Sequence, residues 1–132
     1  MPWFPAGPDG AAGAAGATGP TGADYSLLLV EVEYLDSAVL ALTDAGKLVR
    51  CDHVDAMTVT VPPSTGVGAV AFPVGTVVLL VAAGTGRVSV VAGLGVTIRS
   101  PGGKLKLTAQ YDQASLVKRG ADEWYLTGAL SA

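Results

Sequence analysis

Gly7-Pro8-Asp9-Gly10-Ala11-Ala12-Gly13-Ala14-Ala15-Gly16-Ala17-Thr18-Gly19-Pro20-Thr21-Gly22-Ala23-Asp24 carries glycine at every third position without interruption. Three polyproline-II chains wind around one axis only where the axial residue has no side chain, and that residue recurs every third place. Pro8 and Pro20 each follow a glycine, where the pyrrolidine ring presets the φ angle the triple helix needs. A flexible Gly/Ala linker has no reason to hold a strict period. The segment 7–24 is therefore expected to be a collagen-like stalk with Gly7, Gly10, Gly13, Gly16, Gly19 and Gly22 on the axis. At about 3 Å per residue it would span on the order of 50 Å. Triplets such as Gly-Ala-Ala are weak formers, so the rest of the chain has to supply the contact that holds three copies together.

Working outward toward the N-terminus, Met1-Pro2-Trp3-Phe4-Pro5-Ala6 precedes the repeat. Two large aromatics beside prolines are costly to leave in water. They are expected either to plug the trimer axis or to anchor the stalk in a larger particle; residues 1–6 are assigned as an anchor peptide carried by Trp3 and Phe4. The start has neither a basic stretch nor an apolar core segment, so no secretory signal is read there.

On the other side, residues 25–132 change character to short β-branched runs punctuated by turn residues. Leu28, Val30, Val32 and Tyr34 alternate with Leu29, Glu31 and Glu33, the period of two of a half-buried strand. Ala38 to Leu42 and Lys47 to Cys51 flank Thr43-Asp44-Ala45-Gly46, which reads as a hairpin with a short loop. Met57 to Val61 forms a strand stopped by Pro62-Pro63. Further strands are expected at Ala69 to Phe72, Thr76 to Ala82, Arg87 to Ala92, Val96 to Ser100, Lys104 to Leu107, Ala114 to Lys118 and Glu123 to Leu126. The Val/Leu run Thr76 to Ala82 suits a strand covered on both faces. No stretch has helical periodicity. The expected class is all-β, a trimeric sandwich or barrel head on a triple-helical stalk.

Composition narrows the function classes. Half of the 132 residues are hydrophobic and 14% are charged, which is apolar for a small monomer and fits an obligate oligomer. The longest clean apolar run is Val77 to Ala83, whereas a spanning helix needs about 20 residues; a soluble chain made in a cytoplasm is expected. Cys51 stands alone, so the fold rests on packing. The net charge of −3 argues against nucleic acid. Charge is segregated: eight of the eleven acids precede Arg87, and six of the eight basic residues lie from Arg87 onward. Either strands from the two halves pair and set opposite charges side by side, or charge guides contacts between subunits.

The succession Thr58-Val59-Thr60-Val61-Pro62, Ala71-Phe72-Pro73-Val74-Gly75-Thr76, Gly95-Val96-Thr97-Ile98-Arg99-Ser100, Ser115-Leu116-Val117-Lys118-Arg119 and Glu123-Trp124-Tyr125-Leu126-Thr127-Gly128 resembles a β-rich domain common in tailed-phage fibre and minor tail proteins. It looks closest to those of phages infecting actinobacteria, where collagen-like tracts often precede such domains. The likeness covers about residues 40–130. It implies a structural or receptor-facing virion protein rather than any particular chemistry.

Candidate chemistry is sparse. His53 is the single histidine, within Cys51-Asp52-His53-Val54-Asp55. In one strand Cys51, His53 and Asp55 would share a face with Asp52 opposite, a poor geometry for a nucleophile and its base; a loop histidine satisfied by its neighbours is expected. Glu31, Glu33 and Asp36 share one wet environment, whereas glycosidase carboxylates need two different ones. Gly84-Thr85-Gly86-Arg87 lacks the helix and lysine of a phosphate loop and reads as a turn. Trp124 and Tyr125, adjacent on a strand, point to opposite faces, so one belongs to the core while the other is open to a ligand or a subunit contact. No catalytic residue, metal or cofactor is assigned. The expectation is a homotrimeric, non-enzymatic virion fibre of the tail or capsid. Its N-terminus docks on other virion proteins and its head faces outward, without nucleic-acid or membrane partners. The alternative is a receptor-binding module for a host cell-envelope glycan.

Overall fold

The computed structural model describes residues 28–132; the anchor Trp3 and Phe4 and the axial glycines Gly7 to Gly22 lie outside the described residues. The described part is all-β. Its strands are β1 (Glu31–Tyr34), β2 (Ala38–Val39), β3 (Leu48–Cys51), β4 (Met57–Val61), β5 (Val77–Ala82), β6 (Val88–Ala92), β7 (Thr97–Arg99), β8 (Lys106–Leu107), β9 (Gln113–Gly120) and β10 (Glu123–Gly128). They form a six-stranded sheet in the order β1-β3-β5-β9-β10-β7 and a four-stranded sheet in the order β2-β4-β6-β8.

Up to β6 the chain alternates between the sheets, and its neighbours within each sheet are parallel: β1 with β3 and β3 with β5 in the first, β2 with β4 and β4 with β6 in the second. Three coils thus stack on one another, in the manner of a short β-solenoid. The remaining contacts between β5, β9 and β10 are antiparallel and close the first sheet, with β7 added parallel to β10.

The corners explain why the coils stack. In the third coil, Ala83 N–H and Gly84 N–H donate to Cys51 O, and Gly86 N–H donates to His53 O at 2.8 Å. The corner after β5 therefore lies directly on the corner after β3. A Cβ at Gly84 would sit 2.3 Å from His53 O, and one at Gly86 1.9 Å from Asp55 O. Glycine is required there by backbone approaching backbone.

The stretch Thr43-Asp44-Ala45-Gly46 is not the hairpin loop that its composition suggested. β2 and β3 lie in different sheets, joined by a 3₁₀ turn over Leu42–Asp44. The Asp44 side chain is buried and its carboxylate accepts the N–H of Ala41 at 2.8 Å and the hydroxyl of Tyr34. With its polar group turned inward, the segment makes a corner from one sheet to the other instead of a reversal. Residues Ala69 to Phe72, expected as a strand, form part of an irregular crossing before β5.

One core lies between the sheets. Val49, Cys51, Val78, Leu80, Leu116, Trp124 and Leu126 from the first meet Met57, Val59, Val61, Val88, Val90 and Leu107 from the second. Every second residue of each long strand contributes, as the pleat demands, and each buried Val or Leu stabilises by roughly 1.5–3 kcal/mol. Phe72 packs edge-on against Trp124 at 5.4 Å between ring centroids, a geometry worth ~0.5–1.5 kcal/mol beyond burial. Lys118 is buried too, its Nζ donating to Phe72 O at 2.6 Å, which fastens the irregular crossing to β9. β5 is covered on one face only: Val78, Leu80 and Ala82 face the core, Val81 is also buried, but Val77 is exposed and Leu79 half-buried. The outer face of the first sheet is partly open.

Candidate functional site

Registers place the residues of that outer face in rows. Leu48, Leu79, Ser115 and Thr127 lie side by side across β3, β5, β9 and β10, and Val77, Val117, Tyr125 and Arg99 form the next row across β5, β9, β10 and β7. Trp124 and Tyr125 separate as the period of two requires. Trp124 is a core residue, 1% exposed, and Tyr125 stands on the outer face, 44% exposed.

Tyr125 is the centre of a small charged cluster. The Arg119 guanidinium lies over its ring, 5.8 Å from the centroid, a cation–π contact. Glu123 accepts from Arg99 Nε at 2.9 Å and from Arg119 at 2.6 Å. The hydrogen bond from Arg99, and then that from Arg119, holds the Glu123 carboxyl below its usual range, and Glu123 in turn raises Arg119. Each guanidinium keeps further N–H donors for a ligand. Arg99 was not identifiable as a member of this cluster from sequence, because it arrives through the parallel pairing of β7 with β10.

Beside this cluster an open depression of about 260 Å³ is lined by Leu79, Gln113, Ala114, Ser115, Thr127 and Gly128. The hydroxyls of Ser115 and Thr127, both in its lining, lie 3.2 Å apart. An exposed aromatic ring, two guanidinium groups and paired hydroxyls thus share one sheet face. They provide binding groups, with no nucleophile held against a base.

The other residues singled out by sequence do not converge. Cys51 ends β3 facing the core, and burial pushes its thiol up to about 12. His53 lies past the strand end, in a turn where its Nδ1 accepts Asp55 N–H at 2.9 Å; Cys51, His53 and Asp55 therefore do not share a strand face. Asp52 pairs with Arg50 at 2.9 Å, and Arg50 also pairs with Glu33. Glu31 and Glu33 lie on the exposed side of β1, and Asp36 accepts Ser37 N–H in a local turn. Among the described residues no group of three or more His, Cys, Asp or Glu side chains is arranged to hold a metal ion. The four ion pairs of the described residues join Arg50 to Glu33 and Asp52, and Glu123 to Arg99 and Arg119. Among the described residues none links the acidic first half to the basic second half. No helix among the described residues is long and apolar enough to cross a membrane.

Comparison with protein families, with curated proteins and with solved structures finds no match for this chain.

Proposed function

We propose that this chain is a structural virion protein of a tailed bacteriophage, a homotrimeric fibre of the tail or capsid. In this reading Trp3 and Phe4 seat the N-terminus on the particle, and the glycine repeat winds three chains into a spacer. The all-β head then presents three identical surfaces outward. The observation that carries the reading is the run of six uninterrupted glycine triplets leading into an all-β head. A three-chain stalk multiplies whatever weak contact each head makes, because the second and third contacts become intramolecular. The experiment is localisation on purified particles by antibody labelling or imaging at side-chain resolution. The reading expects the protein at a fixed, threefold site, and its absence from purified particles would exclude it.

A second reading, a receptor-binding module for a host cell-envelope glycan, is favoured by the Tyr125 cluster and the adjoining depression. A glycan array probed with the intact chain and with Tyr125→Ala tests it. Selective signal abolished by the substitution supports binding; no selective signal leaves the head a structural part alone.

A further inference from the structure

We infer that the first coil of the head, β1 and β2 with the residues entering and leaving them, is the surface through which three copies of this chain lock together. The inference rests on the trimeric reading above and names the contact that reading requires.

The first coil is the unfinished end of the stack. Among the described residues β1 pairs only with β3, and β2 only with β4. Val32 and Tyr34, on the inner side of β1, are only half-buried, whereas their neighbours Val49 and Cys51 in β3 are 0% and 1% exposed. Around them Leu28, Leu29, Val30, Leu35, Val39 and Leu42 are each more than half exposed. The opposite edge of the second sheet is treated differently. There β8 is bridged by the chain's own C-terminal residues, Lys106 to Ser131, with the Thr108 and Ser131 hydroxyls 2.9 Å apart. One end of the stack is covered from within the chain, while the other presents apolar side chains and a strand edge that no described residue pairs, which a stacked-coil protein has to cover.

Chain length identifies what covers it. Gly22, the last glycine of the repeat, precedes Leu28 by six residues. Even fully extended, six residues reach at most ~22 Å. Three chains leaving a common axis therefore deliver the start of β1 in all three copies to within that radius of the axis. The far edge of the first sheet, β7, lies five strand spacings from β1, ~24 Å at ~4.8 Å each, and no such short segment ties it to the stalk. Charge disfavours other occupants: Glu31 and Asp36 rim the coil, the Arg50 beside it is engaged by Glu33 and Asp52, and among the described residues Lys47 is the one further cation at its corner, donating to Thr43 O, so an anionic lipid surface or a nucleic acid finds more negative than positive charge there. The occupants are second and third copies of this chain.

The test uses the full chain carrying Leu29→Lys with Leu35→Lys, and Leu94→Lys as a control at an exposed site after β6. All three positions are solvent-exposed, so the β signal in circular dichroism is expected to be unchanged. Sedimentation velocity is run warm enough for the triple-helix signal to be lost, leaving the head alone to hold the assembly. Wild type and Leu94→Lys are expected to stay trimeric, and the double variant to need at least tenfold more protein to trimerise. A trimeric wild type with an equally trimeric double variant overturns this inference and leaves the trimeric fibre standing. A wild type that is monomeric even in the cold, where a triple helix would form, overturns the fibre reading itself.

Discussion

The Tyr34 hydroxyl, at the end of the first strand, donates to the buried carboxylate of Asp44 at the corner between the sheets. The same carboxylate oxygen accepts the N–H of Ala41 at 2.8 Å. One acidic side chain thereby fixes both the exit of the first coil and the turn into the second.

Removing that carboxylate strands a backbone N–H and a phenol together. Asp44→Ala is expected to destabilise the head by about 2–3 kcal/mol, and Tyr34→Phe, which leaves the Ala41 bond intact, by about 1 kcal/mol. Chemical denaturation of the two variants checks the order. Equal, negligible effects would mean that the corner is set by its backbone alone.

The stacking of corners makes a sharper demand. Gly86→Ala would drive a Cβ to 1.9 Å from Asp55 O, and a backbone neighbour cannot swing aside. A loss above about 3 kcal/mol is expected. Gly95→Ala, at a positive φ of 79° but with open space around it, is expected to cost only about 1 kcal/mol. Thermal melts of the pair separate close approach from mere conformational preference.

Much of the strand content was legible in the residues themselves. Met57 to Val61, bounded by Pro62, and the Val/Leu run through Val77 to Ala82 fall where β-branched patterning put them. So does the opposite facing of Trp124 and Tyr125, since a period of two leaves no other choice. The connectivity was not legible. Turn-forming residues around Asp44 are equally compatible with a hairpin and a corner, and the choice depends on a phenol ten residues away. Parallel pairings such as Leu48 with Leu79 are set by how corners stack, a non-local property that no window of sequence displays. For the same reason Tyr125 was identifiable as a candidate, while Arg99 beside it was not.

Burial raises the folded-state pKa of Cys51 from 9.0 to about 12, and burial, with the bond to Asp44 second, raises that of Tyr34. A raised pKa means that the neutral form is favoured in the fold. Its contribution is therefore complete below the unfolded pKa and is lost as pH climbs toward the folded one. Stability is expected to be flat through neutral pH as far as these two groups are concerned, then to fall from about pH 9 upward. Cys51→Ala should remove the earlier part of that fall at a cost of about 1 kcal/mol in neutral solution. Denaturation midpoints across pH 7 to pH 11 test this; an unchanged alkaline slope in the variant would assign the fall elsewhere.

The stalk makes its own prediction. Gly13→Leu puts an isobutyl group where three chains would crowd one axis. It should abolish the triple-helix dichroism while the β signal of residues 28–132 persists. An unaltered stalk signal would show that glycine is not needed at that place.

The most direct measurement is the mass of the intact chain in solution, by light scattering or sedimentation equilibrium, in the cold. Three chains of 13.2 kDa each, with a triple-helix dichroism that melts on warming, is the predicted result. A particle of one or two chains without that signal would contradict the account at its root.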